Sequence, residues 1–293
     1  MGGRGGASHR STAGGMQYER FDVAAFDALR KQMAFNFSDR YTADPFFRRQ
    51  LDAVWDGLTD LQKYAIWQYT AGSGGLNRPL SGYRGDWSNY VGTGRVPWDA
   101  ENRDHALPSY FAQLTGSSTV RYDRNISMLT EAIQKSRLDS DAYLYRGSDI
   151  GGLAGILRDS VGFQKVQSLF ASGNEAAIKN ALVGKEAQSH AFLSTGIAKD
   201  AGFGGSIRYK IYAPKGTRAI YAEPQSEYGQ TITNPMLHKK GMAYSGVGSE
   251  AEVIIQRGTK YRITGVERVG YEWCVTMEII EQPKFKRGTD RTK

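Results

Sequence analysis

The chain has 293 residues, of which 40% are hydrophobic and 23% are charged, as in an ordinary folded globular protein. It contains no run of about 18 apolar residues, which excludes a membrane-spanning helix, and its single cysteine, Cys274, excludes an internal disulfide. The net charge of +8 is concentrated at the ends, because residues 284–293 hold five basic residues against one acid and residues 1–18 hold two arginines and no acid. Charge therefore does not favour a nucleic-acid-binding protein.

The first third of the chain predicts mainly helices. Residues 1–18 are rich in Gly, Ser and Arg and predict a flexible leader. Apolar residues recur at helical spacing over residues 21–33 and again over residues 44–55, where Asp-Pro opens the pattern. Thr59 is suited to cap a third helix.

The remainder predicts loops, one more helix and then strands. Residues 70–108 combine frequent glycines with Trp and Tyr, which indicates loops packed by aromatic side chains, and residues 125–135 predict a helix. From residue 142 onward strand patterns dominate. The predicted strands are 142–146, 190–195, 206–213, 251–256, 261–266 and 271–280. Helices first and strands later favour an α+β fold over a parallel α/β fold, whose elements alternate.

Two carboxylates, Glu250 and Glu252, stand where one of these strands begins. Alternate residues of a strand point the same way, so both are expected on one side of the sheet. Two close carboxylates repel, which raises the pKa of one of them. Such a pair suits a reaction that develops positive charge, with one acid stabilising the cation and the other handling a nucleophile.

Two further strand segments carry polar residues. Arg146 ends an apolar strand, and its planar guanidinium matches phosphate oxygens. Ser194 and Thr195 place hydroxyl groups on another strand. Each feature alone is more typical of ordinary sheet and surface residues, so the functional interpretation depends on their combination and order.

In that order, Tyr145-Arg146, Ser194-Thr195 and Glu250-Ala251-Glu252 resemble the motifs of the arginine–serine–glutamate class of mono-ADP-ribosyltransferases. This class includes binary actin-modifying toxins, Rho-modifying exoenzymes and phage-encoded transferases. The resemblance covers about residues 58–280. It implies an α+β ADP-ribosyltransferase fold in which a helical N-terminal part precedes two packed, mostly antiparallel sheets around an NAD cleft.

Composition, charge and the resemblance together predict four parts: a flexible leader (1–18), a helical N-terminal extension (19–57), the catalytic domain (58–282) and a flexible basic tail (283–293). Two features depart from the family pattern. Gly196 stands where the family has a third hydroxyl, and residues 230–249 are longer than the usual connection into the Glu-x-Glu strand. That connection recognises the substrate in the family, so its length bears on the identity of the target.

The resemblance implies that NAD is the substrate and that no metal is needed. Arg146 is expected to anchor the NAD diphosphate, and Ser194 to bond near the nicotinamide ribose and orient Glu252. Glu252 is expected to bond the ribose 2′-hydroxyl and to stabilise an oxocarbenium-like transition state. The implied catalytic residues are Arg146, Ser194, Glu250 and Glu252. The implied cofactor-binding residues are Arg146, Gly147, Ser194, Thr195, Phe203 and Glu252, with core packing a second interpretation of Phe203.

Glu250 indicates the acceptor, since in the family glutamate at this position accompanies arginine targets. We therefore expect a monomeric transferase of the glycosyltransferase class that modifies an arginine of a target protein, without a membrane partner; contact with nucleic acid through the basic tail is not expected. Other acceptors, NAD hydrolysis and a non-catalytic virion or interaction protein stay open. The first residues lack the apolar segment of a secretory signal, which favours the host cytoplasm or a phage virion, with a secreted effector as a further alternative.

Overall fold

We describe the fold from a computed structural model, which covers residues 22–81, 122–226 and 247–285. Within them lie the helices α1 (Val23–Met33), α2 (Arg40–Trp55), α3 (Asp60–Ala71), α4 (Gly74–Leu80), α5 (Tyr122–Lys135), α6 (Ile150–Ile156), α7 (Phe163–Ala171) and α8 (Glu175–Leu182). The strands are β1 (Ala142–Ser148), β2 (Glu186–Ser189), β3 (Leu193–Gly196), β4 (Ile207–Ala213), β5 (Ala219–Tyr221), β6 (Glu252–Ile255), β7 (Thr259–Val269) and β8 (Glu272–Glu281). A short 3-10 helix, Glu223–Gln225, follows β5.

Several sequence predictions fall outside the described residues. They are the leader (1–18), residues 82–108 of the aromatic loops, nearly all of the long connection (230–249) and most of the basic tail (283–293). The chain forms two compact units, Met1–Met33 and Ala34–Lys293. In the first unit the structure describes α1, which contains no buried residue.

The helix starts follow from local capping. Asp39 accepts a hydrogen bond from the amide of Thr42 at 2.9 Å, so α2 begins earlier than the sequence pattern predicts and Pro45 lies inside it. α3 begins as predicted, because Thr59 and Gln62 form a reciprocal capping box. No described helix is long and apolar enough to cross a membrane.

The α+β class is confirmed, but the strands form one mixed sheet rather than two sheets. Its strand order is β2-β7-β8-β4-β1-β3-β6-β5, and all described pairings are antiparallel except β4 with β8. The strands form one sheet because β1 pairs with β3 through a single residue pair, Tyr145 with Gly196. By contrast, β1 pairs with β4 along its full length. We call the Tyr145–Gly196 junction the seam of the sheet.

The part of the chain after residue 142 is less strand-rich than the sequence analysis predicts. Three helices, α6, α7 and α8, lie between β1 and β2. Their buried residues recur at helical spacing: Leu153 and Leu157, then Val166 and Phe170, then Ile178 and Leu182. Asp149 and Asn174 cap α6 and α8 through their side chains. The prediction of β4 is confirmed, with Ile207, Tyr209 and Ile211 buried on one face.

Candidate active site

The motif residues converge on one cleft where β1, β3 and β6 lie side by side. Arg146 lies on β1, Ser194 lies on β3, and Glu252 is the first residue of β6, where it pairs with Gly196. The cleft has about 180 Å³ of empty space. Its lining residues are Tyr145, Arg146, Ser194, Thr195, Gly202, Phe203, Glu250 and Glu252.

A chain of hydrogen bonds joins the three motifs. Ser194 donates from its hydroxyl to Oε1 of Glu252, in a short hydrogen bond between buried side chains. Nη1 of Arg146 donates to the backbone carbonyl of Ser194 at 2.7 Å. Ser194 therefore contacts both charged groups, the guanidinium through its backbone and the carboxylate through its side chain.

Glu252 is an acid with a strongly altered proton affinity. Its side chain is only 3% exposed, and burial raises its pKa to about 7, with a further contribution from the charge of Glu250. The hydrogen bond from Ser194 and the charge of Arg146 act in the opposite direction. The second carboxylate oxygen, Oε2, is buried and has no hydrogen-bond partner among the residues that the structure describes. It is thus available to a hydroxyl group of a ligand.

The position of Glu250 in the cleft does not follow from strand alternation. The strand β6 begins only at Glu252, and Ala251 between the two acids has φ +41°, in the left-handed region that residues with a Cβ rarely adopt. Both carboxylates line the same cleft, but the strand alternation from which the sequence analysis places them on one side of the sheet does not apply, since the backbone bends at Ala251. Glu250 is half-buried, and this burial raises its pKa.

The two residues after Ser194 make contacts that shape the cleft. The hydroxyl of Thr195 donates to the backbone carbonyl of Val253 at 2.8 Å, which ties β3 to β6. At Gly196 a Cβ atom would lie 2.6 Å from the backbone carbon of Ala201. The third hydroxyl of the family pattern is therefore missing because the following loop packs against this position.

Glycines also let that loop approach β1. A Cβ on Gly147 would lie 1.8 Å from the backbone oxygen of Phe203, and one on Gly205 would lie 2.1 Å from that of Ser148. The loop thus packs backbone to backbone on the end of β1. It carries Phe203 to the edge of the cleft, where the ring is 48% exposed, so the core interpretation of this residue is wrong.

Tyr69 is a site residue that the sequence analysis did not assign. It lies on α3, is 2% exposed, and places its hydroxyl 3.3 Å from Oγ of Ser194. Its hydroxyl also donates to the carbonyl of Phe192 at 3.4 Å and accepts from Nδ2 of Asn77 on α4 at 3.2 Å. Burial raises the pKa of Tyr69 to about 12, aided by the charge of Glu252. The hydroxyl stays protonated and holds Ser194 from behind.

Glu223 is a second unassigned acid behind the cleft. It is fully buried in the 3-10 helix after β5, and burial raises its pKa to about 7. Backbone hydrogen bonds from Gly248 and Glu252 lower this pKa, and the charges of Glu250 and Asp44 raise it. Among the described residues, no group of three or more His, Cys, Asp or Glu side chains could hold a metal ion.

The cleft combines a hydroxyl-bonded carboxylate, a second carboxylate and a guanidinium, which suits the breaking of a glycosidic bond beside a phosphate-bearing group. These are the features of a mono-ADP-ribosyltransferase of the toxin type. The family model for the ADP-ribosyltransferase exoenzyme matches residues 43–282. The chain belongs to this family, whose members transfer ADP-ribose from NAD.

Solved structures share the fold at low sequence identity. C3stau2 from S. aureus, solved with NAD, has a TM-score of 0.56 and 20% identity, over 85% of this chain and 99% of that one. Plx2a, an ADP-ribosyltransferase toxin from Paenibacillus larvae, has a TM-score of 0.57 and 18% identity, over 85% and 100%. The C3 exoenzyme of Clostridium limosum has a TM-score of 0.52 and 19% identity, over 86% and 100%. No curated protein is significantly similar to the chain in sequence.

Proposed function

We propose that this protein transfers ADP-ribose from NAD to an arginine side chain of a target protein. The observation that carries the proposal is the pair Glu250 and Glu252 in one cleft, with Glu252 bonded to Ser194 through one oxygen and without a partner at the other. An unpartnered buried carboxylate oxygen is costly, and a ribose hydroxyl would satisfy it. C3stau2, which shares the fold, is described with NAD.

In the proposed binding mode, Arg146 anchors the NAD diphosphate. One of its guanidinium nitrogens is bonded to the carbonyl of Ser194, which orients the planar group toward the cleft that it lines. Charge-assisted bonds to phosphate then fix the dinucleotide. Gly147 lets the backbone approach the ligand, and Phe203 covers the nicotinamide ring from the loop.

In the proposed reaction, the bond between C1′ of the ribose and the nicotinamide nitrogen breaks, and nicotinamide leaves with the electron pair. Ionised Glu252 accepts a hydrogen bond from the 2′-hydroxyl and stabilises the positive charge on the ribose. A guanidinium nitrogen of the acceptor then forms a bond to C1′ and loses a proton to Glu250. Glu250 suits this role, because its raised pKa makes it a stronger base than an exposed glutamate.

The proposal also assigns different roles to the catalytic domain and to the N-terminal extension. Residues 58–282 carry the catalytic groups, and the N-terminal extension supports them, since Asp44 of α2 accepts a hydrogen bond from Tyr221 of β5 at 2.6 Å. The protein acts as a monomer on a host protein. Membership of the ADP-ribosyltransferase exoenzyme family favours an exported toxin over a virion protein.

Biotin-labelled NAD incubated with a eukaryotic cell lysate tests the proposal. We expect labelled protein with the unaltered chain, none with Glu252→Gln, and full labelling with the control Glu267→Gln, whose side chain is exposed on β7. Mass spectrometry of the labelled protein is expected to locate the modification on arginine. A modification on asparagine or on nucleic acid would overturn the acceptor, and NAD hydrolysis without transfer would make the protein a glycohydrolase. Equal signal in Glu252→Gln would refute the site.

A further inference from the structure

The backbone amide and carbonyl of Gly248, just before the Glu-x-Glu segment, are both hydrogen-bonded to charged side chains. The amide of Gly248 donates a short hydrogen bond to Oε1 of Glu223. The carbonyl of Gly248 accepts a hydrogen bond from Nη1 of Arg40 at 3.2 Å. Gly248 and Glu223 are buried, and the Arg40 side chain is only 17% exposed. We call these three residues the Gly248 clamp.

The same guanidinium reaches a second loop of the cleft. Nε of Arg40 donates to Oδ2 of Asp200 at 3.1 Å, and Nη2 donates to the backbone carbonyl of Asp200. Asp200 belongs to the loop after β3, which carries Gly202 and Phe203 into the cleft. Arg40 is the first residue of α2, so one side chain joins α2 to both loops that border the cleft.

The two carboxylates depend on the clamp to different degrees. Glu252 lies in the β3–β6 ladder and is bonded to Ser194, so these contacts hold it without the clamp, although its backbone amide also contacts Glu223. Glu250 lies outside any strand. On one side of it, the carbonyl of Ala251 accepts a hydrogen bond from the amide of Ile197 at 3.2 Å. On the other side, Gly248 is held by the clamp, and only Ser249 intervenes.

We propose that Arg40 and Glu223 are positioning residues that hold Glu250 against the acceptor side of the cleft through their bonds to Gly248. The inference rests on the proposed role of Glu250 in transfer. Loss of the clamp frees one end of the Glu250 segment but leaves the contacts of Glu252 with Ser194 and with the β3–β6 ladder in place. Transfer to the acceptor is then impaired, whereas cleavage of NAD is retained.

The experiment compares two rates in the full chain: nicotinamide release from NAD without acceptor, and transfer of biotin-labelled ADP-ribose to lysate protein. In Arg40→Ala and in Glu223→Ala we expect transfer to fall about tenfold more than nicotinamide release, which corresponds to about 1.4 kcal/mol. Glu223→Gln retains an oxygen that can accept from the Gly248 amide and is expected to restore most of the transfer. Arg49→Ala, on an exposed position of the same helix, is the matched control and leaves both rates unchanged.

A parallel fall of both rates in the two alanine variants, or no change in either, would overturn the inference. Hydrogen–deuterium exchange gives a readout that does not need activity. In Arg40→Ala we expect faster exchange of the amides of residues 248–250 and unchanged protection over residues 253–255. Unchanged exchange of the amides of residues 248–250 would refute the clamp, whether or not the chain cleaves NAD. Failure of the unaltered chain to cleave NAD would instead refute the proposed function.

Discussion

The hydroxyl of Ser194 is bonded to Oε1 of Glu252, although 58 residues separate them in the chain. The pairing of β3 with β6 brings them together, since Ser194 lies opposite Ile254 and Gly196 lies opposite Glu252. Tyr69 supports the hydroxyl from α3. The carboxylate is thus oriented before any substrate binds, which lowers the reorganisation that the reaction requires.

The pKa of Glu252 sets the acidic side of the activity profile. Because burial raises this pKa to about 7, the carboxylate is protonated below pH 7, and kcat/KM for NAD is expected to rise with pH through about 7. The hydrogen bond from Ser194 lowers the pKa, so Ser194→Ala moves the midpoint to higher pH as well as lowering the rate. A pH profile of nicotinamide release measures both effects. A midpoint that does not move in the variant would contradict this assignment.

The raised pKa of Glu252 also predicts that ionisation of this carboxylate destabilises the folded state. Since the pKa of Glu252 is raised from 4.5 to about 7 in the folded chain, the folded state binds the extra proton between these values, and stability falls as pH rises, by about 1.4 kcal/mol per pH unit. Glu252→Gln cannot lose a proton. Its free energy of unfolding relative to the unaltered chain is expected to be higher at pH 8 than at pH 5, by about 2–3 kcal/mol. Urea unfolding at both pH values tests this, and a pH-independent difference would contradict it.

Glu250→Gln is expected to separate the two halves of the reaction. The variant keeps the shape of the side chain but removes the base that compensates the acceptor guanidinium, so transfer falls about 100-fold. Nicotinamide release is expected to change less than threefold, because Glu252 and Ser194 retain their contacts. Labelled NAD with and without lysate gives both rates. Equal losses in the two rates would show that Glu250 serves NAD cleavage rather than the acceptor.

Gly147 and Gly204 form a matched pair for testing the loop over β1. A methyl group at Gly147 meets the Phe203 backbone at 1.8 Å, whereas one at Gly204 meets nothing within 4 Å. Gly147→Ala is expected to lower the free energy of unfolding by about 1–3 kcal/mol and to weaken NAD binding at least tenfold. Gly204→Ala is expected to leave both nearly unchanged. Calorimetric NAD titration and urea unfolding measure the pair, and similar values for the two variants would refute the close packing.

Tyr69→Phe tests the hydrogen bond between the hydroxyl groups of Tyr69 and Ser194. The variant keeps the buried ring and removes the hydroxyl near Ser194, which costs about 0.5–1.5 kcal/mol, or roughly a twofold to tenfold loss in kcat/KM. The side-chain amide of Asn77 loses its acceptor in this variant. Thr70→Val, which removes a hydroxyl that donates to the carbonyl of Trp67 at 2.8 Å, provides a comparison on the same helix. An unchanged kcat/KM in Tyr69→Phe would show that Ser194 is held by Glu252 alone.

The sequence was sufficient to predict the central convergence. Arg146, Ser194 and Glu252 each lie within a strand segment recognisable by its apolar neighbours, and their order along the chain matches a known family. The structure confirms that these three lie in one cleft. The roles of the residues in binding and catalysis stay predictions.

Sequence reasoning did not reach the contacts made through distant backbone groups. Arg40 acts across 208 residues on a carbonyl oxygen, and carbonyl oxygens carry no sequence signal. Glu223 looks like an ordinary loop acid until its burial is known. The bend at Ala251 is equally hidden, since alanine gives no indication of a positive φ. The absence of the third family hydroxyl at Gly196, in contrast, was visible in the sequence, but its steric cause was not.

The seam between Tyr145 and Gly196 is the least extensively paired junction among the described strands of the sheet, and it lies beside the cleft. Few backbone hydrogen bonds cross it, whereas the strands on either side are joined along longer ladders. A small backbone shift at this one pair therefore changes the spacing between Arg146 on β1 and Glu252 on β6 without unpairing the ladders on either side.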